Sequence, residues 1–231
     1  MYRAEVPGTR PAAHPPSREG TVISAVLSSV IQVLVFTAIP FAVYLVTRRR
    51  ARGFWEYLGL KRPERRTLSL AVVLALVLTP AMLAIFAAPA LRGMLTAPNT
   101  VTGQLIEQGF TARTAILMVL YAAIQTSLSE EILFRGFLAK RLIAWLGFRW
   151  GNLAQALLFG SVHLLLFAGP AGQALTPARL AAVLATTSAV GWLLGWLNER
   201  RGNGSIVPSW LAHGLTNLIT YTGLAVWWGS A

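Results

Sequence analysis

Residues 112–139 read ARTAILMVLYAAIQTSLSEEILFRGFLA. The stretch exceeds the ~20 apolar residues that cross a bilayer as helix, yet it carries Glu130, Glu131 and Arg135. A charge at the centre of such a segment costs roughly 2.5 to 3.5 kcal/mol. All eight acidic residues of the chain are glutamates, and the other six fall in tails, loops or segment edges. The pair therefore marks a place where a cost is tolerated, and chemistry is the leading reason to tolerate it.

The same apolar character recurs on both sides of this stretch. Five further segments cover about 21–47, 67–91, 150–167, 178–198 and 205–228. Together they predict an all-α, polytopic transmembrane bundle of about six spans with a polar cavity inside the membrane. Composition agrees: the 231 residues are 55% hydrophobic and 12% charged, where a soluble domain carries about 25% charged residues. One domain over 21–229 is expected. Residues 1–20 hold Pro7, Pro11, Pro15 and Pro16 among scattered arginines and predict a disordered N-terminal tail. The apolar run that follows is as long as a full span, so no cleaved signal is expected. The chain has no cysteine, which excludes disulfides, cysteine-ligated metals and a cysteine nucleophile.

The net charge of +12 belongs to topology rather than to nucleic acid. Thirteen basic residues fall in three loops, from Arg48 to Arg66, from Lys140 to Arg149, and at Arg200 and Arg201, against six on the opposite side. The positive-inside rule puts those loops in the cytoplasm and both termini outside. Contact with anionic lipid heads is a further use for them. With the short, alanine- and arginine-rich chain, this predicts a multi-pass protein of a bacterial plasma membrane. Trp150, Trp192, Trp196, Trp210, Trp227 and Trp228 lie mostly near segment ends, where an aromatic belt belongs. Gly191 and Gly195 form a small-xxx-small pair suited to close helix packing.

Beyond the glutamates and Arg135, the ionisable groups inside the segments are His163 and His213, with Asn217 one turn after the latter. At 1.5 Å per residue, Glu130 lies roughly 15 Å from Lys140, His163 roughly 21 Å from Arg149, and His213 and Asn217 roughly 12 and 18 Å from Ser205. All fall in the cytoplasmic half or near the middle of a ~30 Å core, so groups from three helices can converge on one cavity. Glu131 and Arg135 are four apart and can pair. Glu130 is turned about 100° away; an apolar site and a like charge beside it both disfavour its ionised form and poise it as a general base. His213 with Asn217, and Phe159 with His163, share the same four-residue spacing.

A glutamate, two histidines and an asparagine around a cavity can activate water. A carboxylate takes its proton, a histidine orients it or binds a metal, and amide or imidazole N–H groups donate to an oxyanion. The plainer alternatives are a structural ion-pair network, interhelical hydrogen bonds and proton translocation. No His-Glu-x-x-His helix and no Gly-x-Ser-x-Gly elbow occurs, so spacing supports neither a zinc protease helix nor a serine nucleophile.

Three motifs stand in order on separate segments: Glu130-Glu131-x-x-x-Arg135, Phe159-x-x-x-His163 and His213-x-x-x-Asn217. In this the chain resembles the CAAX-protease and bacteriocin-processing (CPBP, Abi) family of intramembrane endopeptidases, over about 112–221. The resemblance implies a helical membrane protease acting on a protein or peptide. It implies Glu130 and His163 as activators of water, His213 and Asn217 as the oxyanion site, and Glu131, Arg135 and Phe159 as support. The family is commonly labelled metalloprotease, so a divalent metal such as zinc is left open, held if present by Glu130, His163 and His213. A non-catalytic membrane partner or immunity protein using the same polar network is the alternative. Neither oligomeric state nor substrate follows from the motifs.

Overall fold

The computed structural model describes residues 18–88, 91, 93, 100–167 and 176–228. Every described element is helical and none is a strand. The predicted tail lies outside the described residues up to residue 17, and residues 18–20 form the first turn of a helix. The order is α1 (Arg18–Arg48), a short α2 (Phe54–Leu58), α3 (Arg65–Phe86), α4 (Val101–Gln108) and α5 (Ala112–Val119). The chain then continues through two π-helical stretches, Leu120–Leu128 and Glu131–Ala139, into α6 (Lys140–His163) and a 3₁₀ turn at Leu164–Phe167. Next come α7 (Pro177–Trp196), which ends in a π turn at Leu197–Arg201, and α8 (Val207–Trp228).

Local chemistry sets several of these ends. Thr111 and Thr114 form a reciprocal capping box at the start of α5. Thr176 accepts from the Arg179 amide at the start of α7, just before Pro177, whose missing N–H costs nothing in a first turn. Gly147 breaks α6 with φ 74° and ψ 166°, a conformation open chiefly to glycine. The chain doubles back there: a Cβ on Gly151 would fall 2.4–2.5 Å from the Leu142–Ile143 backbone.

Among the described residues four helical stretches, not six, are long and apolar enough to cross a membrane: Val22–Arg48, Arg65–Phe86, Ala112–His163 and Pro177–Arg201. Two causes account for the difference. The predicted third and fourth segments lie in one 52-residue stretch, whose reversal at Gly147 makes them two limbs of a hairpin. The predicted sixth segment, now α8, is diluted by His213, Asn217 and the threonines at 216, 220 and 222. Four such stretches make the chain an integral, multi-pass membrane protein.

Four apolar clusters lie among the described residues, and three of them join most of the bundle. Ala25, Leu105, Leu117, Met118, Ala122, Tyr221 and Ala225 tie α1, α4, α5 and α8 together. Tyr44, Phe54, Leu58, Ile132 and Ile206 pack α2 under the second π stretch. Ala71, Leu194, Leu197 and Ala212 join α3, α7 and α8. Much of α1 faces outward with large apolar side chains such as Ile31 and Leu34, as lipid contact requires. Helices α6 and α7 approach closely at glycines: a Cβ on Gly191 would sit 3.1 Å from the Phe159 ring, and one on Gly195 would sit 2.0 Å from Asn152 Oδ1.

The three basic loops meet at one end. Ile206 N donates to Gly59 O at 3.0 Å, Ser205 Oγ to Lys61 O at 2.6 Å and Thr67 Oγ1 to Arg201 O at 2.7 Å. Lys140 Nζ donates to Glu199 Oε1 at 2.8 Å and to Gly204 O at 2.6 Å. Gly59 has φ 83°, and a Cβ there would strike Gly204 O at 2.3 Å, so only glycine admits this contact. Trp55, Trp145 and Trp150 are exposed at the same end. Trp210 donates its indole N–H to Ala123 O at 2.6 Å.

Candidate active site

The helix carrying the glutamates is wound as π-helix on both sides of Ser129 and Glu130. Such winding is rare and occurs mostly as short bulges, often at functional sites. Side chains record it here: Thr126 Oγ1 donates to Tyr121 O, five residues back, at 2.7 Å. Helix α1 braces the turn. Gln32 Nε2 donates to Gln125 O at 2.7 Å and to Ser129 Oγ at 3.1 Å.

The two carboxylates part company at once. Glu131 is fully buried and its Oε1 lies 3.2 Å from Arg135 Nη1, itself 1% exposed. The ion pair is close, but none of the guanidinium N–H groups is aligned well enough for a hydrogen bond among the described residues. Arg135 instead lies over the Phe159 ring at 4.0 Å, a cation–π contact strengthened by burial. Glu131 Oε1 also takes a hydrogen bond from His213 Nδ1 at 3.1 Å. Its Oε2 accepts from Ser209 Oγ, which in turn receives Asn198 Nδ2 at 2.6 Å; Asn198 Oδ1 accepts from Ser209 N at 3.1 Å. Glu131 is thus the centre of a buried network spanning three helical segments.

Glu130 has no such company. Its side chain is 19% exposed, and its Oε2 is itself buried with no hydrogen-bond partner among the described residues. His213 Nε2 lies 3.9 Å from that oxygen. A water hydrogen-bonded to both at ~2.8 Å subtends an angle of about 90° across that gap.

His163 sits at the end of α6, with Nδ1 2.7 Å from Phe159 O. A carbonyl only accepts, so Nδ1 carries a hydrogen and Nε2 is the ring nitrogen left for other partners. By the same logic His213 directs Nδ1–H at the Glu131 carboxylate and turns Nε2 towards Glu130. Asn217 donates both amide hydrogens, to Thr126 Oγ1 at 3.1 Å and Ser127 Oγ at 3.3 Å. Thr126 spends its own hydrogen on Tyr121 O, which identifies Asn217 as the donor of that bond.

His163, His213 and Asn217 line one cavity of about 190 Å³, together with Phe159, Thr216 and apolar side chains of α3 and α7 such as Leu78, Met82, Val183 and Leu194. Groups from α6 and α8 therefore face one space, and Glu130 approaches it through His213. A larger groove of about 410 Å³ between α3, the first π stretch and α8 is lined by residues such as Leu68, Val119, Leu215 and Leu218 and offers almost no polar surface. It holds no group able to do acid–base work.

Tetrahedral metal sites gather their ligands within about 2.0–2.3 Å of one point. Among the described residues no three His or Glu side chains are gathered in that way, so Glu130, His163 and His213 do not fit a metal centre as they stand. The sequence reading missed Ser209, Asn198, Gln32, Thr126 and Ser127. Only Ser209 carried a signal, lying one helical turn before His213.

A family model described as type II CAAX prenyl endopeptidase Rce1-like matches residues 112–219. No curated protein and no solved structure matches the chain.

Proposed function

We propose that the chain, whose residues 112–219 match the Rce1-like CAAX protease family model, is a membrane-embedded hydrolase of that kind, an intramembrane endopeptidase in which Glu130 is the general base. The observation that carries this reading is the buried, unpartnered Oε2 of Glu130, facing His213 Nε2 at 3.9 Å. A buried carboxylate oxygen without a donor is costly, and a water held there removes the cost.

In this reading Glu130 takes a proton from the water while the water's oxygen attacks the carbonyl carbon of a peptide bond. The carbonyl π pair moves onto oxygen. His163 orients the water from the cavity side. His213 turns Nε2 towards the reacting carbonyl and donates to its oxyanion in the form that carries a hydrogen there, and Glu131 fixes its ring as a carboxylate fixes a catalytic histidine elsewhere. When the intermediate collapses the carbon–nitrogen bond breaks, and the leaving amine takes the proton back from Glu130. The oxyanion role that the motif implies for Asn217 requires it to exchange one of its bonds to Thr126 or Ser127. Glu131, Arg135 and Phe159 support the site without touching substrate.

The substrate is a peptide or protein reaching the site from the bilayer. The meeting of all three basic loops at one end supports a cytoplasmic placement of that end in a bacterial plasma membrane. A second reading has its own observation: the network of Glu131, Arg135, Ser209, Asn198 and His213 is buried and tightly joined, as helix packing in a non-catalytic membrane partner would require.

The purified protein, Glu130→Ala and His163→Ala, incubated in detergent with a peptide library read by mass spectrometry, separate the two. Cleavage by the wild type alone is expected. Equal cleavage by all three forms refutes the proteolytic assignment of these residues.

A further inference from the structure

The oxyanion site has a vacant post. Asn217, the amide that the motif offers for it, spends both N–H groups on Thr126 and Ser127. Its neighbour in the chain, Thr216, does not share that commitment. Thr216 is 8% exposed, lines the same cavity as His163 and His213, and its Oγ1 is buried without a hydrogen-bond partner among the described residues. Threonine in a helix ordinarily satisfies its hydroxyl on the carbonyl four residues back; Thr187, across the cavity on α7, does so with Val183 O at 2.6 Å. Thr216 forgoes that bond in a space where α3 and α7 contribute mostly apolar side chains.

We propose that the Thr216 hydroxyl is the hydrogen-bond donor to the carbonyl oxygen at the scissile bond, and that Asn217 is a positioning residue anchoring α8 to the first π stretch. The ligand group is a neutral carbonyl that becomes an oxyanion. The hydroxyl donates a hydrogen bond throughout and transfers no proton, so the proton balance of hydrolysis is unchanged. A donor that strengthens as charge develops acts on kcat more than on KM. The assignment rests on the proteolytic reading above.

The test compares wild type, Thr216→Val, Thr216→Ser and Glu130→Ala on the same peptide library, with the melting temperature of each in detergent. Valine keeps the shape and removes the hydroxyl; serine keeps the hydroxyl. Expected for Thr216→Val is a fall in kcat of about 100-fold, the scale for one lost oxyanion donor, with KM little changed and melting at or above wild type. Thr216→Ser retains cleavage within about threefold if the hydroxyl is what counts. Wild-type cleavage by Thr216→Val beside a dead Glu130→Ala overturns Thr216 alone. A melting temperature several degrees lower in Thr216→Val assigns the hydroxyl a structural partner and also overturns it. A library that no form cleaves, or that all cleave equally, overturns the proteolytic reading and this assignment with it.

Discussion

Adjacent glutamates should respond in opposite ways to the same substitution. Glu131 is fully buried against Arg135 at 3.2 Å. At an effective dielectric near 20 two unit charges at that distance attract by about 5 kcal/mol, offset by the cost of taking both out of water. Removing one partner leaves the other charge buried and uncompensated, which costs about 3–5 kcal/mol. Glu131→Leu also strands His213 Nδ1 and leaves Ser209 Oγ only Ile206 O to donate to, so it belongs at the upper end. Arg135→Leu loses the stacking on Phe159 as well as the pair. The double substitution removes both charges, and its cost should fall below the sum of the singles by about 2–3 kcal/mol. Glu130→Leu has no hydrogen bond to lose at Oε2 among the described residues and should cost less than about 1 kcal/mol while abolishing cleavage. Unfolding in a mixed-micelle SDS titration can be followed by tryptophan emission, since the chain has eight tryptophans and no cysteine for thiol dyes. Additive single costs, or a Glu130→Leu as damaging as Glu131→Leu, would refute the division of labour between the two carboxylates.

Three further outcomes are expected. Gly195→Ala drives a Cβ to within 2.0 Å of Asn152 Oδ1 and should destabilise by about 1–3 kcal/mol, whereas Gly223→Ala, with nothing within 4 Å, should be neutral or slightly stabilising in the same titration. Lys140→Met releases Glu199 and the Gly204 carbonyl; for this partly exposed pair the cost is about 1 kcal/mol, and faster trypsin cleavage at Arg200 or Arg201 should report the loosened end. Chelation should leave peptide cleavage within about twofold of the untreated rate, because no three-ligand set is gathered among the described residues where zinc requires one; loss of activity restored by added zinc would reverse that conclusion.

The helical class and the pairing of Glu131 with Arg135 were legible because both rest on short-range rules: apolar run length, and the four-residue spacing that brings side chains together. The common cavity of His163, His213 and Asn217 could be anticipated from depth alone, since depth is counted along each segment from its own basic end. What could not be read depends on contacts between segments. Ser209 and Asn198 are ordinary polar residues until α8 sets one of them against Glu131. The commitment of Asn217 to Thr126 and Ser127 depends on how α8 is rotated against the first π stretch, which no pattern within α8 encodes. The span count failed for a related reason. Apolar length marks a segment one at a time, but the reversal at Gly147 and the polar load of α8 concern how segments are joined and how they are packed.

The π winding around Glu130 also bears on how this region tolerates insertion and deletion. In an α-helix, deleting one residue rotates everything downstream by about 100° and would turn Arg135 away from its partners. A π stretch already holds a surplus residue relative to α. Deleting a single residue within 120–128 can be absorbed by tightening that stretch to α, with Glu130 and Arg135 kept on their original bearings. Alignments of related chains across this region should therefore show one-residue gaps before the glutamates that do not imply a lost site.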